Sequence, residues 1–82
     1  MSLNLLVVDD HVIFREGLIG LLEKETDMTV VGQADNGAVA LRLAQELKPD
    51  VVIMDISMPE MNGVEATRRI VAELPGSRVL IL

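Results

Sequence analysis

Four short apolar runs of strand length alternate along this chain of 82 residues with three segments that carry a helical pattern. The central runs are apolar on both faces, whereas a strand with one face in water alternates apolar and polar residues. Doubly apolar strands separated by helices form a parallel sheet that helices cover on both sides. The sequence therefore predicts an α/β fold in the order βαβαβαβ, with strands at residues 3–8, 28–34, 51–54 and 78–82.

Three helices are predicted from apolar residues that recur at three- and four-residue spacing. The second helix begins after the turn Asp35-Asn36-Gly37, which offers an N-cap, and ends before Pro49 because a proline disfavours the α conformation in the preceding residue. A loop at 56–62 precedes the third helix, which ends before Pro75. The stripes expected to face the sheet are Phe14, Leu18, Leu21 and Leu22 in the first helix (12–24), Ala40, Leu41, Ala44 and Leu47 in the second, and Val64, Thr67, Ile70, Val71 and Leu74 in the third.

The handedness of parallel connections decides where these helices lie. We expect a flavodoxin-like, doubly wound sheet with strand order 2-1-3-4. Parallel crossovers are almost always right-handed, and the step from strand one to strand two runs opposite to the other two steps. The first helix is therefore expected on one face of the sheet, and the second and third helices on the other.

Composition excludes several classes of protein. Half of the residues are hydrophobic, so the chain is not a disordered acidic tail. It has no cysteine, which excludes disulfides, thiolate zinc sites and a cysteine nucleophile, and its one histidine leaves little for a histidine-based metal site or triad. The net charge of −6 disfavours direct binding to nucleic acid, whose phosphates require Lys and Arg partners. No apolar run approaches the ~20 residues that span a bilayer, and no secretory signal is present, so we expect a cytoplasmic location.

Acidic residues follow two of the predicted strands. Asp9 and Asp10 end the first strand, and Asp55 ends the third. In the expected strand order these strands are neighbours, so the three carboxylates converge at the carboxyl edge of the sheet, where such folds bind ligands. Two carboxylates ~5 Å apart repel by ~3 kcal/mol at an effective dielectric constant of ~20. A raised pKa, a basic side chain or a hard cation has to offset that repulsion, and an all-oxygen donor set favours Mg²⁺.

A structural explanation competes with this interpretation. A single aspartate at the end of a strand more often caps the following helix, and this holds for Asp10 or Asp55 taken alone. The three acids together favour a site. The first βα turn has no glycine, which counts against a nucleotide phosphate cradle. We expect His11 to be exposed or to cap the first helix, and we do not assign it as a ligand.

These residues resemble the receiver domain of bacterial two-component response regulators. The resemblance extends over residues 3–82 and rests on two runs, Val7-Val8-Asp9-Asp10-His11 and Met54-Asp55-Ile56-Ser57-Met58-Pro59-Glu60-Met61-Asn62-Gly63. The Asp-Asp-His start and the stretch Phe14-Arg15-Glu16-Gly17-Leu18 further resemble the LuxR/NarL-type subgroup. Members of that subgroup carry a C-terminal helix-turn-helix domain and regulate transcription.

The resemblance implies a role for each acid. Asp55 is implied as the phosphoacceptor, which takes a phosphoryl group from a sensor histidine kinase. Asp10, Asp55 and the backbone carbonyl of Ser57 are implied as direct ligands of Mg²⁺, and Asp9 as a ligand through a metal-bound water. The chain is then a phosphorylated signalling domain of a two-component phosphorelay and not an enzyme for other substrates. Contact with DNA is expected only through a helix-turn-helix domain that these residues do not contain.

The sequence ends inside the fourth predicted strand. The resemblance implies a Thr or Ser after that strand, a Lys after a fifth strand and a final helix, none of which stands within residues 1–82. We therefore expect a partial receiver domain, without an output domain. A missing final helix would leave the face of the first helix half covered, so we expect residues 1–82 to self-associate.

Two other functions stay open. A metal-dependent aspartyl phosphotransferase of the haloacid-dehalogenase type pairs two acids two residues apart after one strand, but Ser57 stands two residues after Asp55. A non-catalytic binding module is the other, since this fold hosts many functions. Turnover of phosphate monoesters would favour the phosphotransferase, and failure to bind Mg²⁺ would favour the binding module.

Overall fold

Strands and helices alternate along the chain in a computed structural model that describes residues 2–55 and 63–82. The elements are β1 (Leu3–Val8), α1 (Val12–Leu22), β2 (Met28–Ala34), α2 (Gly37–Leu47), β3 (Val51–Met54), α3 (Gly63–Glu73) and β4 (Arg78–Ile81). The strands are parallel and lie in the order β2-β1-β3-β4. The predicted architecture is confirmed, although α1 ends two residues earlier than predicted. The predicted loop at 56–62 lies outside the described residues.

The register of β1 aligns the ends of the central strands. Val8, the last residue of β1, pairs with Met54, the last residue of β3. On its other side Val8 pairs with Ala34, the last residue of β2. Because three strands end at one level, the residues that follow β1 and β3, Asp9 and Asp55, leave the sheet side by side.

The main core lies between the sheet and the helices α2 and α3. Alternate residues of β1 and β3 face these helices, and Leu6 and Val52 have no exposed surface. Full burial of one such side chain contributes roughly 1.5–3 kcal/mol. Alanines on both helices keep the helices close to the strands. The buried cluster consists of Leu6, Val8, Ala34, Ala40, Leu41, Ala44, Val52, Met54, Ala66 and Ile70.

The opposite face of the sheet is only partly covered. Leu5, Val7 and Ile53 are buried there. However, no residue of α1 is itself buried, and Ile13 is 86% exposed. On β4, Leu80 is in register with Ile53 and is 54% exposed. An apolar surface therefore remains accessible on the α1 side of the sheet.

The helices bury a narrower face than the predicted stripes. On α3, Ile70 is buried as predicted. The other fully buried side chain is that of Ala66, whereas the larger Val64 and Val71 are exposed. Residues four apart lie on one side of a helix, so Ala66 and Ile70 form one row against the sheet. The prediction is wrong for four stripe residues that are more than half exposed, namely Phe14 (54%), Leu21 (63%), Val64 (57%) and Val71 (55%).

Local interactions fix both ends of α2. The Asn36 side chain accepts a hydrogen bond of 2.9 Å from the backbone N–H of Val39, so it satisfies a donor that the first helical turn leaves unpaired. At the other end, Lys48 adopts a left-handed backbone conformation with φ 47° and ψ 58°. The right-handed helix therefore stops before Pro49. The predicted N-cap and the predicted end at the proline are both confirmed.

Candidate metal centre

Three carboxylates and one imidazole lie together beyond the carboxyl ends of β1 and β3. Asp9, Asp10, His11 and Asp55 each offer one ligand atom, and these four atoms all lie within 4.8 Å of one another. The predicted convergence of the three acids is confirmed. The imidazole at the same place was not predicted.

Main-chain hydrogen bonds that continue the sheet hold two of the acids in place. The backbone N–H of Asp9 donates to the carbonyl of Ala34 at 3.0 Å, and that of Asp55 donates to the carbonyl of Val8 at 2.9 Å. The positions of Asp9 and Asp55 therefore follow from strand pairing and do not depend on their side chains.

Asp9 already has local hydrogen-bond partners. The residue is 4% exposed, and its Oδ1 accepts a hydrogen bond of 2.7 Å from the backbone N–H of His11. Its main-chain carbonyl accepts a hydrogen bond of 2.6 Å from Nη1 of Arg15, whose Nε donates to Oε1 of Gln33 at 2.8 Å. Arg15 thus ties α1 to the ends of β1 and β2. Sequence reasoning gave Arg15 no role, although it stands one helical turn after His11 and so lies near the same edge.

One oxygen of Asp10, Oδ1, is buried and accepts no hydrogen bond from the part of the chain that the structure describes. No residue among 2–55 and 63–82 donates a hydrogen bond to its Oδ1, although Nδ1 of His11 is 2.9 Å away. A ring nitrogen carries at most one hydrogen, and Nδ1 is already hydrogen-bonded to Asp9. Asp10 does not cap α1 either, since His11 is the N-cap residue and no side-chain hydrogen bond caps the helix. A buried carboxylate oxygen that accepts no hydrogen bond is costly, and a bound cation would satisfy it.

The carboxylates also determine the electrostatics of His11. Its side chain is 69% exposed, as predicted, yet the ring turns towards the acids. The hydrogen bond with Asp9, and after it the negative charge of Asp10, raise the pKa of His11 above the ordinary histidine value. One signal could have indicated this contact, because His11 directly follows a pair of acids in the sequence.

In metal-free solution, we expect His11 to stabilise the folded protein at acidic pH. Because the pKa of His11 is raised in the folded protein, folding binds a proton. The stabilisation is complete below the unfolded pKa of about 6.5 and is lost as the pH rises through the folded value. Thermal unfolding in the presence of a chelator should show that His11→Ala lowers the melting temperature more at about pH 5.5 than at about pH 8.5. The same loss at both pH values would contradict the expectation.

The described donors fit a hard divalent cation. Asp9, Asp10 and Asp55 supply anionic oxygen atoms, which Mg²⁺ prefers, and Oδ1 of Asp10 lacks a hydrogen bond from the described residues. The predicted backbone ligand, Ser57, lies outside the described residues. The described part of the chain can therefore hold a metal ion at the edge where the sequence predicted one.

Comparison with known proteins identifies the family. The profile of the response regulator receiver domain matches residues 5–82, and the chain belongs to this family. Receiver domains are signalling domains of two-component systems. The four-stranded parallel fold and the acidic edge of the sheet agree with this assignment.

Proteins similar to this chain include response regulators and regulators of transcription. The chain is 53% identical to the transcriptional regulatory protein YdfI of Bacillus subtilis (strain 168) over 67 residues. This match covers 82% of this chain and 32% of YdfI. The signal receiver domain of the response regulator NarL from Mycobacterium tuberculosis is similar in structure, with a TM-score of 0.92 and 40% identity over 98% of this chain and 64% of that one. A LuxR-family two-component response regulator from Aurantimonas sp. SI85-9A1 also has a TM-score of 0.92 and 40% identity, over 99% of this chain and 58% of that one. The resemblance to the LuxR/NarL-type subgroup is confirmed. The chain spans about a third of the length of the curated relatives that it matches.

The helices of the described residues are short. Each of the three has 11 residues, and none in the described part of the chain is long and apolar enough to cross a membrane.

Proposed function

We propose that this chain is the phosphoacceptor domain of a response regulator, and that Asp55 takes its phosphoryl group from the phosphohistidine of a sensor histidine kinase. One observation carries the proposal. Asp9, Asp10 and Asp55 converge within 4.8 Å at the carboxyl edge of the sheet, in a chain that belongs to the receiver family.

Asp55 supplies the nucleophile in this proposal. One of its carboxylate oxygens attacks phosphorus, and the P–N bond to the kinase imidazole breaks with its electron pair left on the ring nitrogen. The product is an acyl phosphate on Asp55. The Asp55 side chain is 15% exposed, which leaves it accessible at the edge of the sheet. Its main chain is fixed by the hydrogen bond to Val8, and catalysis of phosphoryl transfer depends mainly on such positioning.

The neighbouring residues would hold Mg²⁺ beside the nucleophile. Asp10, Asp55 and the backbone carbonyl of Ser57 are the proposed direct ligands, and Asp9 would act through a metal-bound water. When bound, Mg²⁺ neutralises negative charge on the carboxylates and on the phosphoryl group. Two observations support this division of roles. Oδ1 of Asp10 has no hydrogen bond from the described residues, whereas Oδ1 of Asp9 already accepts one from the backbone of His11.

We propose that phosphorylation of this domain controls transcription in the whole protein. The name of the similar protein YdfI, a transcriptional regulatory protein, supports this output. With a net charge of −6, these residues are a poor partner for DNA, so the proposed contact is made by a C-terminal helix-turn-helix domain. We also propose that the protein acts in the cytoplasm, where it can reach DNA. No turnover of other substrates is expected.

The apolar surface on the α1 side supports a proposal of self-association for this chain. Ile13 is 86% exposed and Leu80 is 54% exposed, and exposed apolar patches of this kind mark interaction surfaces. Light scattering over a range of concentrations tests the proposal. A concentration-independent monomer would contradict it.

Phosphorylation by a small-molecule phosphodonor tests the central proposal. The intact protein, incubated with acetyl phosphate and Mg²⁺, should gain the mass of one phosphoryl group. The gain should disappear when a chelator removes the metal, and hydroxylamine should reverse it because an acyl phosphate reacts with that nucleophile. A gain that resists hydroxylamine, or no gain at all, would contradict the proposal.

Replacing Asp10 with alanine is expected to weaken Mg²⁺ binding at least about tenfold. Groups that only orient a metal ligand typically cost about 10- to 100-fold in affinity when they are removed, and a direct ligand should cost no less. The metal-free protein should be no less stable, because the change removes one of three neighbouring negative charges. Calorimetric titration with Mg²⁺ and urea unfolding measure the two quantities.

Asp27→Ala is the matched control for this variant. Asp27 is exposed and directly precedes β2, so it lies at the opposite edge of the sheet. Mg²⁺ affinity should be unchanged in this variant. If Asp10→Ala destabilised the metal-free protein by clearly more than the ~1 kcal/mol of a helix cap, Asp10 would be mainly structural.

A further inference from the structure

We infer that His11 is a ligand at the metal centre, and that its imidazole gives the site an affinity for nitrogen-preferring divalent ions such as Ni²⁺ and Zn²⁺. The inference goes beyond the proposed function and rests on its metal site at Asp10 and Asp55. It concerns which ions the site can bind and adds no step to phosphoryl transfer.

Nδ1 of His11 lies close enough to the carboxylates of Asp10 and Asp55 for the three residues to share one ion. Nδ1 of His11 lies 3.0 Å from Oδ1 of Asp9, 2.9 Å from Oδ1 of Asp10 and 3.8 Å from Oδ2 of Asp55. Donor atoms bound to one ion at ~2.0–2.2 Å are separated by ~3 Å when adjacent and by ~4 Å when opposite. The distances to Asp10 and Asp55, the two proposed direct side-chain ligands, agree with that geometry.

The helix does not need the ring, so the ring could bind an ion in exchange for its hydrogen bond with Asp9. His11 is the N-cap of α1, yet its side chain makes no capping hydrogen bond. Its backbone N–H donates to Oδ1 of Asp9 at 2.7 Å, which holds the main chain at the site while 69% of the side chain is exposed. An incoming ion would replace the hydrogen between Nδ1 and Asp9: the protonated ring would release that hydrogen to solvent as a proton and keep the one on Nε2, so the ring that binds is a neutral imidazole.

A nitrogen ligand changes which ions the site prefers. Mg²⁺ binds carboxylates, carbonyls and water, whereas imidazole suits Zn²⁺, Cu²⁺ and Ni²⁺. If His11 is a ligand, its removal lowers the affinity for Ni²⁺ and leaves that for Mg²⁺ nearly unchanged. If the ring acts only as a positive charge that competes with cations, its removal raises both affinities together.

Calorimetric titration of the intact protein with Ni²⁺ and with Mg²⁺ separates the two cases. We expect His11→Ala to lose at least about tenfold in Ni²⁺ affinity, the lower end of losses seen for groups that orient metal ligands. The Mg²⁺ affinity should change by less than about twofold. Thr26→Ala is the matched control, since Thr26 is exposed, carries no charge and lies just before β2, at the opposite edge of the sheet. It should leave both affinities unchanged.

Spectroscopy of bound Cu²⁺ gives a second measurement that does not depend on affinity. The electron paramagnetic resonance spectrum of the wild-type protein with one equivalent of Cu²⁺ should show splitting by an imidazole nitrogen, and His11→Ala should lose that splitting. Unchanged splitting, or equal changes in Ni²⁺ and Mg²⁺ affinity, would overturn the inference.

The parallel Mg²⁺ titration distinguishes the inference from the proposed function. Wild-type protein that binds Mg²⁺ but shows no contribution of His11 to Ni²⁺ binding overturns the inference alone. Protein that binds neither ion overturns both.

Discussion

Replacing Asp55 with asparagine is expected to abolish phosphorylation of the protein by acetyl phosphate in the presence of Mg²⁺. Asparagine keeps the shape of the side chain, but its amide lacks the negatively charged oxygen that attacks phosphorus. The backbone should stay in place, because the N–H of residue 55 still donates to the carbonyl of Val8. Intact mass spectrometry should detect the gain of one phosphoryl group in the wild type and none in Asp55→Asn.

Asp27→Asn controls for the chemical change itself. Asp27 is exposed at the opposite edge of the sheet, so the same replacement there should leave phosphorylation at the wild-type level. Wild-type labelling of Asp55→Asn would place the acceptor elsewhere. Peptide mapping would then test Asp9 and Asp10, the two other carboxylates of the cluster.

Shortening Ile70 to alanine is expected to lower the free energy of unfolding by about 2–5 kcal/mol, the range for deleting a fully buried aliphatic side chain. Ile70 has no exposed surface and belongs to the core between the sheet and the helices α2 and α3. The substitution removes apolar contacts and leaves a cavity that the surrounding residues only partly fill. Urea unfolding of the intact protein measures the difference.

Val71→Ala is the matched control on the same helix. Val71 is the next residue in the chain and is 55% exposed, so its truncation should change the free energy of unfolding by less than about 1 kcal/mol. Similar losses for the two variants would mean that the buried side of α3 is wrongly assigned. The pair also tests the sequence-based stripe, which placed both residues against the core.

The parallel fold could be predicted because its determinants are local. Each strand is a short apolar run, each helix has its own periodicity, and the right-handed crossover then distributes the helices between the two faces. The buried face of α3 could not be predicted in the same way. Burial there depends on how closely α3 approaches its neighbours, which favours the small Ala66 over the larger Val64 and Val71. A pattern of hydrophobicity ranks valine above alanine and so selects the wrong residues.

The candidate site, like the fold, could be predicted from the sequence only in part. The carboxylates of Asp9, Asp10 and Asp55 could be placed from the sequence, because they stand within two residues of a strand end and parallel strands bring their carboxyl ends to one edge. The orientation of His11 could not, because position in the chain does not determine the direction of a side chain. Its ring turns towards the acids through a hydrogen bond with Asp9 and attraction to the charges of Asp10 and Asp55, and only the attraction to Asp55 requires the strands to be assembled.

The main-chain hydrogen bonds that hold Asp9 and Asp55 have a consequence for evolution. The N–H groups of these residues bond to the carbonyls of Ala34 and Val8, and every amino acid except proline can donate the same bonds. The location of the site is therefore inherited with the sheet, whereas its chemistry is chosen separately at each side chain. A lineage of such chains can exchange one catalytic group at a time and keep the others in place. New reactions can therefore arise without a change of fold.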